Sequence, residues 1–256
     1  MPVSTVFKAL ERVNVHTAES NGKFIVEDRR NVIRELQTSL HKIEDSDYLL
    51  VYGTGERVNR DALLFSVHID TVFDEIEHGV MKFPDGTITG TLDNTISIAA
   101  IIEASKYPLF SNNLPVYVSY TGGEEQETML GARETIRYFQ NQDIPVKCTV
   151  VLDITAEHYE RDFSIENYLV KQNDFVKSIT RYYHEKRLDP GFVSPEQALP
   201  DETWIYRYWS ETFSLCLPVS SGVESMHQKD CRTNIKKLEA LVKVLTLLPA
   251  YIAEFL

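Results

Sequence analysis

Two apolar runs constrain the fold of this chain more than any other feature. The segments ALLFSVHID (residues 62–70) and KCTVVLDIT (residues 147–155) are almost continuously apolar until their last few residues. A strand without polar alternation must be covered on both faces, which is typical of parallel strands that have helices above and below the sheet. The sequence therefore predicts a sheet with two helical layers.

Helices and strands alternate along the rest of the chain. The spacing of apolar residues predicts helices over residues 4–13, 24–42, 95–107, 129–142, 173–186, 201–209 and 233–255, the last with Thr233 as its N-cap. Strands are predicted over residues 48–55, 62–70, 114–121, 147–155 and 211–219, and a loop over residues 71–90. This order predicts an α/β fold, a three-layer α/β/α sandwich around a mixed, largely parallel sheet, within one domain spanning residues 1–256.

Composition disfavours several classes of partner. The net charge of −12 would repel nucleic acid and anionic membranes. No apolar run approaches the roughly 18 residues that a membrane helix needs. The three cysteines have no Cys-x-x-Cys spacing, which fits a reducing compartment better than a disulfide framework. We therefore expect a cytoplasmic protein with neither nucleic acid nor a membrane as its partner.

Polar residues follow the carboxyl ends of the predicted strands, where ligands bind in α/β sheets. In chain order, these are His68, Asp70, Asp93, Glu124, Glu125, Asp153 and His227. Residues two apart in a strand point to the same side, so Asp70 can accept the second imidazole N–H of His68 and fix its tautomer.

Each of these residues also has an ordinary explanation. His68 and Asp70 could form a hydrogen bond in the core, and Asp93 could be a helix N-cap. The glutamates could be a solvated face favoured by the dipole of the following helix, and His227 could be a surface histidine. Asp153 is harder to explain in this way, because a carboxylate at the end of an apolar strand must be paired or ligated.

The joint order His-x-Asp, Asp, Glu-Glu, Asp, His resembles that of the co-catalytic di-zinc exopeptidases. This superfamily includes bacterial leucyl aminopeptidases, glutamyl aminopeptidases, tripeptidase T and carboxypeptidase G-like enzymes. The resemblance covers about residues 48–250 and implies a metal-dependent hydrolase of peptide bonds. The gaps of 25 residues from His68 to Asp93 and 74 from Asp153 to His227 leave no space for the lid or dimerisation domain of many relatives. The resemblance thus implies a catalytic domain without that insert.

The resemblance also implies a role for each residue. His68 and Asp153 would bind one ion, Glu125 and His227 the other, and Asp93 both. Glu124 would be the general base towards a water shared by the ions, and Asp70 would orient His68. The ions would be two divalent metals, with zinc expected and cobalt or manganese as alternatives.

Some alternatives stay open at this stage. His158 competes with His227, which precedes Gln228 where relatives often have Ser or Thr. Asp201 is a candidate for a residue that supports the metal ligands. An aspartate at position 153 is usual among the amino-, di- and tripeptidases of the superfamily, which favours an aminopeptidase or small-peptide hydrolase. Two alternatives to this interpretation stay open: the protein could be an N-acyl amino acid deacylase, or a catalytically silent relative that binds a ligand or partner.

Overall fold

A computed structural model describes residues 3–13, 27–54, 61–71, 80–110, 114–172, 174–199, 201–220 and 231–255. The helices in these ranges are Val3–Val13 (α1), Glu27–Leu36 (α2), Thr95–Ala104 (α3), Leu130–Asn141 (α4), Phe175–Glu185 (α5), Thr203–Tyr206 (α6) and Ile235–Phe255 (α7). The strands are His41–Ser46 (β1), Leu49–Gly53 (β2), Ala62–His68 (β3), Met81–Lys82 (β4), Thr87–Thr89 (β5), Val116–Thr121 (β6), Val146–Thr155 (β7), Phe163–Leu169 (β8), Pro190–Val193 (β9), Glu211–Pro218 (β10) and Arg232–Asn234 (β11). None of the helices in the described ranges is long and apolar enough to cross a membrane.

Eight strands form one mixed sheet in the order β1-β2-β6-β3-β7-β10-β8-β9. The four central strands β6, β3, β7 and β10 are parallel, whereas β2 pairs antiparallel with β6 at one side and β8 antiparallel with β10 at the other. The strands β11, β5 and β4 form a smaller sheet. The predicted α/β fold around a mixed, largely parallel sheet is confirmed.

Alternate residues of β3 show how the layers form. Leu63, Phe65 and Val67 pack into one core with α1, α3, α5 and α7, whereas Ala62 and Leu64 pack into a second core with α4. Every residue of β3 is buried, as the apolar run predicts. Burying one large apolar side chain contributes about 1.5–3 kcal/mol. The two cores fix the central strands so that their carboxyl ends lie side by side at one edge of the sheet.

The prediction of a helix over residues 24–42 is wrong at its carboxyl end. Within the described residues α2 ends at Leu36, and His41–Ser46 forms the edge strand β1, which pairs antiparallel with β2. None of the six residues of this strand is buried, so its sequence HKIEDS lacks the apolar alternation that marks a half-buried strand. Residues 24–26 lie outside the described residues.

Other differences involve short or polar elements. The segment predicted as a loop over residues 71–90 contains β4 and β5, and the sequence did not predict β8 or β9. The helix predicted over residues 201–209 is the single turn α6.

Thr233 is not an N-cap. It lies in β11, and its hydroxyl donates to the carbonyl of Pro218 at 3.0 Å. The side chain of Asn234 instead accepts the N–H of Lys236 at 2.9 Å in the first turn of α7. The helix therefore begins two residues later than predicted, because Thr233 belongs to the smaller sheet.

Candidate metal and active site

His68 ends β3, and its side chain is only 3% exposed. Its Nε2 lies 3.2 Å from Oδ1 of Asp93 and 3.7 Å from Oδ1 of Asp153. Its Nδ1 lies 3.4 Å from Oδ1 of Asp70. The two ring nitrogens thus face different carboxylates, as in histidines that bind a metal with one nitrogen and a carboxylate with the other.

Asp70 joins the end of β3 to the loop that follows β6. Its carboxylate is fully buried, and Oδ2 accepts the backbone N–H groups of Gly123 at 3.0 Å and Glu125 at 3.1 Å. Gly123 has φ +86°, and a Cβ there would lie 2.5 Å from the hydroxyl of Thr128. Only glycine fits this turn, which holds the two glutamates beside His68.

Asp93 lies in the turn before α3 and is buried. The N-cap position of α3 is Asn94, so Asp93 is not the N-cap that its sequence position also allowed. The peptide bond between these two residues is cis, and Nδ2 of Asn94 donates to the carbonyl of Leu152 in β7 at 2.6 Å. The turn is therefore attached to the strand that carries Asp153.

Within the described part of the chain, two groups of possible metal donors meet at His68. One contains His68, Asp93 and Asp153, and the other contains His68, Glu124 and Glu125; in each, the candidate ligand atoms lie within 4.8 Å of one another. The structure brings together six of the seven residues predicted for the site. The seventh, His227, lies outside the described residues.

Crowding of negative charge shifts the ionisation of these groups. Burial and the carboxylates of Asp153, Glu125 and Asp93 raise the pKa of Glu124 to about 9, although His68 opposes the shift. Burial opposes protonation of His68, but the neighbouring carboxylates, above all Glu124, outweigh it and raise the pKa of His68. One imidazole among four carboxylates is a donor set that suits divalent cations, and nitrogen with oxygen donors fits zinc, cobalt or manganese.

Arg29 of α2 lies directly behind the site, a position that the sequence pattern did not predict. Its guanidinium is fully buried and donates to the backbone carbonyls of Ile69 at 3.0 Å and Asp70 at 3.3 Å, and to the hydroxyl of Thr95 at 3.0 Å. Burial lowers its pKa to about 10, although Asp93, Asp70 and Glu125 oppose the shift. Arg29 thus ties the end of β3 to the start of α3, between the segments that carry His68 and Asp93.

Two further acids lie beneath the site. Asp201 is buried and accepts the N–H of Thr203 at 2.8 Å, the Nδ2 of Asn167 at 3.3 Å, and the hydroxyls of Thr203 and Ser214. Glu202, which the sequence did not predict, accepts a hydrogen bond from Ser66 at 2.7 Å, and burial raises its pKa to about 7. Both carboxylates support the strand ends from within the protein.

A cleft of about 550 Å³ opens over these residues. Eight carboxylate side chains line it, whereas no lysine or arginine is among the described residues that do so. His158, the alternative to His227, is not part of the described lining or of either donor group. Its Nε2 instead lies 3.0 Å from the carbonyl of Phe192, and its ring packs against Gly191.

Comparison with known proteins agrees with this geometry. The model of peptidase family M28 matches residues 50–194, which is more than half of the chain. No curated protein sequence matches the chain.

Several solved aminopeptidase structures share the fold. Aminopeptidase APDkam598 from the archaeon Desulfurococcus kamchatkensis superposes with a TM-score of 0.75 at 9% identity, over 98% of this chain and 95% of that one. The TET1 peptidase of Pyrococcus horikoshii superposes with a TM-score of 0.71 at 12% identity, over 95% of this chain and 99% of that one. LapA aminopeptidase of Legionella pneumophila superposes with a TM-score of 0.69 at 16% identity, over 99% of this chain and 70% of that one. The resemblance found in the sequence is confirmed, and the chain belongs to peptidase family M28, a metal-dependent family within the co-catalytic zinc exopeptidases.

Proposed function

We propose that this protein is a two-metal aminopeptidase that releases the N-terminal residue of small peptides. The observation that carries the proposal is the meeting of two donor groups at His68, beside Asp70 and at the mouth of one cleft. In this proposal His68 and Asp153 would hold one ion, and Glu125 would hold the other together with a ligand outside the described residues, His227. Asp93 would be shared between the two sets of ligands.

When bound, two divalent ions supply Lewis-acid chemistry, which acidifies water and polarises the scissile carbonyl. Glu124 accepts the proton of the attacking water and delivers it to the leaving amine. Oδ1 of Asp70 lies 3.4 Å from Nδ1 of His68, and from there it would orient the ring so that Nε2 faces Asp93 and Asp153.

Charge in the cleft favours an aminopeptidase over a deacylase. An N-acyl amino acid carries a free carboxylate next to the scissile amide, whereas an aminopeptidase substrate carries an ammonium there. Five carboxylates besides the three proposed metal ligands line the described part of the cleft, and no described lysine or arginine does, so the ammonium is attracted and the free carboxylate is repelled. A catalytically silent relative would lack a ligand or the base, and the described positions all carry competent side chains.

We further propose that the ions are zinc and that residues 1–256 act as one catalytic domain. The cytoplasmic location inferred from composition stays a prediction.

The metal content and substrate range of the purified protein test the proposal. We expect about two divalent ions per chain after purification without chelator, with release of free amino acids from dipeptides and aminoacyl-p-nitroanilides and no hydrolysis of N-acetyl amino acids. Hydrolysis of N-acetyl amino acids alone would favour the deacylase. No activity on any of these substrates after addition of zinc, cobalt or manganese would refute the proposal that the protein is an enzyme.

A further inference from the structure

Three neighbouring strands, β7, β10 and β8, form one side of the cleft. Asp153 of β7 is in register with Cys216 of β10, which is in register with Ser164 of β8. Glu166 of β8 is in register with Ser214, two residues before Cys216. Residues in register, and residues two apart, project from the same face of a sheet, so Glu166 and Asp153 share a face. Both line the cleft.

Glu166 is nevertheless remote from the metal donors. Glu166 lies two strands away from Asp153, since β10 stands between β7 and β8, and its register partner Ser214 precedes Cys216 by two residues. With a strand spacing of ~4.8 Å and a rise of ~3.3 Å per residue, the Cα atoms of Glu166 and Asp153 are about 12 Å apart. Among the described residues it belongs to neither donor group. The mechanism proposed above therefore leaves this carboxylate without a role.

The carboxylate of Glu166 has an unused acceptor. The residue is 7% exposed, and its Oε1 makes no hydrogen bond to any residue in the described part of the chain. Burial raises the pKa of Glu166, although the hydroxyls of Thr155 and Ser164 oppose the shift. A buried acceptor without a donor is costly, and a cationic ligand is the partner that stabilises it best.

Among the described residues, the cleft supplies no lysine or arginine for this role. Its described lining contains neither lysine nor arginine, and Glu127 and Glu157 add further negative charge at the exposed rim. With no basic side chain from the described lining beside Glu166, a positively charged group of the ligand is the partner that suits it. Apolar residues also line the cleft, among them Ile154, Ala198 and Leu199, and they offer a surface for an aliphatic stem.

We propose that Glu166 binds the side-chain cation of an N-terminal lysine or arginine, so that this peptidase prefers peptides that begin with a basic residue. The inference rests on the proposed aminopeptidase function. The α-ammonium of such a peptide adjoins the scissile bond and stays near the metal donors. The side chain, with its charge at the end of a flexible four-carbon stem in lysine, can extend along the sheet to Glu166.

The test compares p-nitroanilides of lysine, arginine, norleucine and glutamate on the zinc-loaded protein. Norleucine is the matched control, because it has an unbranched aliphatic side chain close in length to that of lysine but no ammonium. We expect kcat/KM for lysine and arginine to exceed that for norleucine by about 10- to 100-fold, from one hydrogen-bonded charge pair. The glutamate substrate should be the poorest of the four.

Glu166→Gln removes the charge and keeps the shape. It should abolish the preference for lysine and arginine, mainly by raising KM for these two substrates, and leave kcat/KM for the norleucine substrate unchanged. Glu160→Gln makes the same charge change at a side chain that is 67% exposed, and should retain the preference. Equal kcat/KM for lysine and norleucine in the wild type overturns the inference, whether or not the variant folds. So does an equal loss for both substrates in Glu166→Gln.

Calorimetry separates this inference from the proposed function. If no substrate is hydrolysed, the aminopeptidase proposal fails, and binding of L-lysinamide and L-norleucinamide to the zinc-loaded protein still tests Glu166. Tighter binding of lysinamide in the wild type, lost in Glu166→Gln, supports the subsite. Equal binding of the two amides contradicts it.

Discussion

Replacing Arg29 by methionine tests whether a buried cation holds the site together. The change removes one donor each from the carbonyls of Ile69 and Asp70 and from the hydroxyl of Thr95. A buried acceptor that loses its partner costs about 1–3 kcal/mol, so the three cost about 6 kcal/mol in all. Methionine fills a similar length of space without a charge.

The variant also removes the cost of burying a charged guanidinium, and this gain must be subtracted from the roughly 6 kcal/mol. Burial lowers the pKa of Arg29 from 12.5 to about 10, which corresponds to about 3 kcal/mol against the charged form in the folded protein. Methionine removes that penalty. We therefore expect Arg29→Met to lower the free energy of unfolding by about 3 kcal/mol, a large part of the roughly 5–15 kcal/mol that stabilises a typical domain.

Urea unfolding followed by tryptophan fluorescence at a fixed zinc concentration measures this difference. Arg34→Met is the matched control on the same helix: its guanidinium pairs with Asp45 at 2.9 Å but is 29% exposed. Loss of a pair at such a site should cost no more than about 1 kcal/mol. Equal destabilisation by the two variants, or a change below about 1 kcal/mol for Arg29→Met, would show that the buried contacts do not hold the site.

Two further variants test the charges around the site and at the sheet edge. Asp70→Asn keeps one side-chain oxygen for the N–H groups of Gly123 and Glu125 but replaces the carboxylate oxygen that faces Nδ1 of His68 with an amide NH2, so zinc affinity in a chelator competition should fall by about 10- to 100-fold; unchanged affinity would contradict its orienting role. Asp45 contacts Arg34, Lys42 and Arg30, whose hydrogen bonds hold its pKa well below the ordinary value. Because the folded-state pKa is depressed, Asp45 stabilises the protein above a pH of about 4 and the effect is lost as the pH falls further; Asp45→Asn should be less stable at pH 7 by about 1–2 kcal/mol, with a difference that disappears in acid. A difference that persisted unchanged down to pH 2 would refute this account.

The buried strands and the local order of polar residues were predictable from the sequence. β3 and β7 are buried on both faces, so their apolar runs mark them without knowledge of their neighbours. Asp93 was identified by its position in a chain order of ligands, and the structure places its carboxylate 3.2 Å from His68. The central strands follow from local signals, whereas the six described site residues were predicted from their joint order along the chain and the resemblance that this order carries.

The remaining features depend on contacts that sequence periodicity does not encode. β8 alternates apolar and polar residues only over four positions, 163–166, before Asn167, at φ +48°, breaks the pattern where the register with β10 shifts, so the apolar signal is too short to mark a strand. Arg29 and Arg30 are consecutive basic residues on a short polar helix, where arginines are normally solvated. Only the packing of that helix against the end of β3 shows that Arg29 is fully buried.

The most direct test of the central claim compares Glu124→Gln with Glu125→Gln, with metal content and turnover measured on the same samples. If Glu124 is the general base, the variant Glu124→Gln should keep two ions per chain, and its kcat should fall by about 100- to 10,000-fold. Glu125 as a ligand predicts that Glu125→Gln retains one tightly bound ion and loses affinity for the second. Near wild-type turnover by Glu124→Gln, at full metal content, would contradict the account.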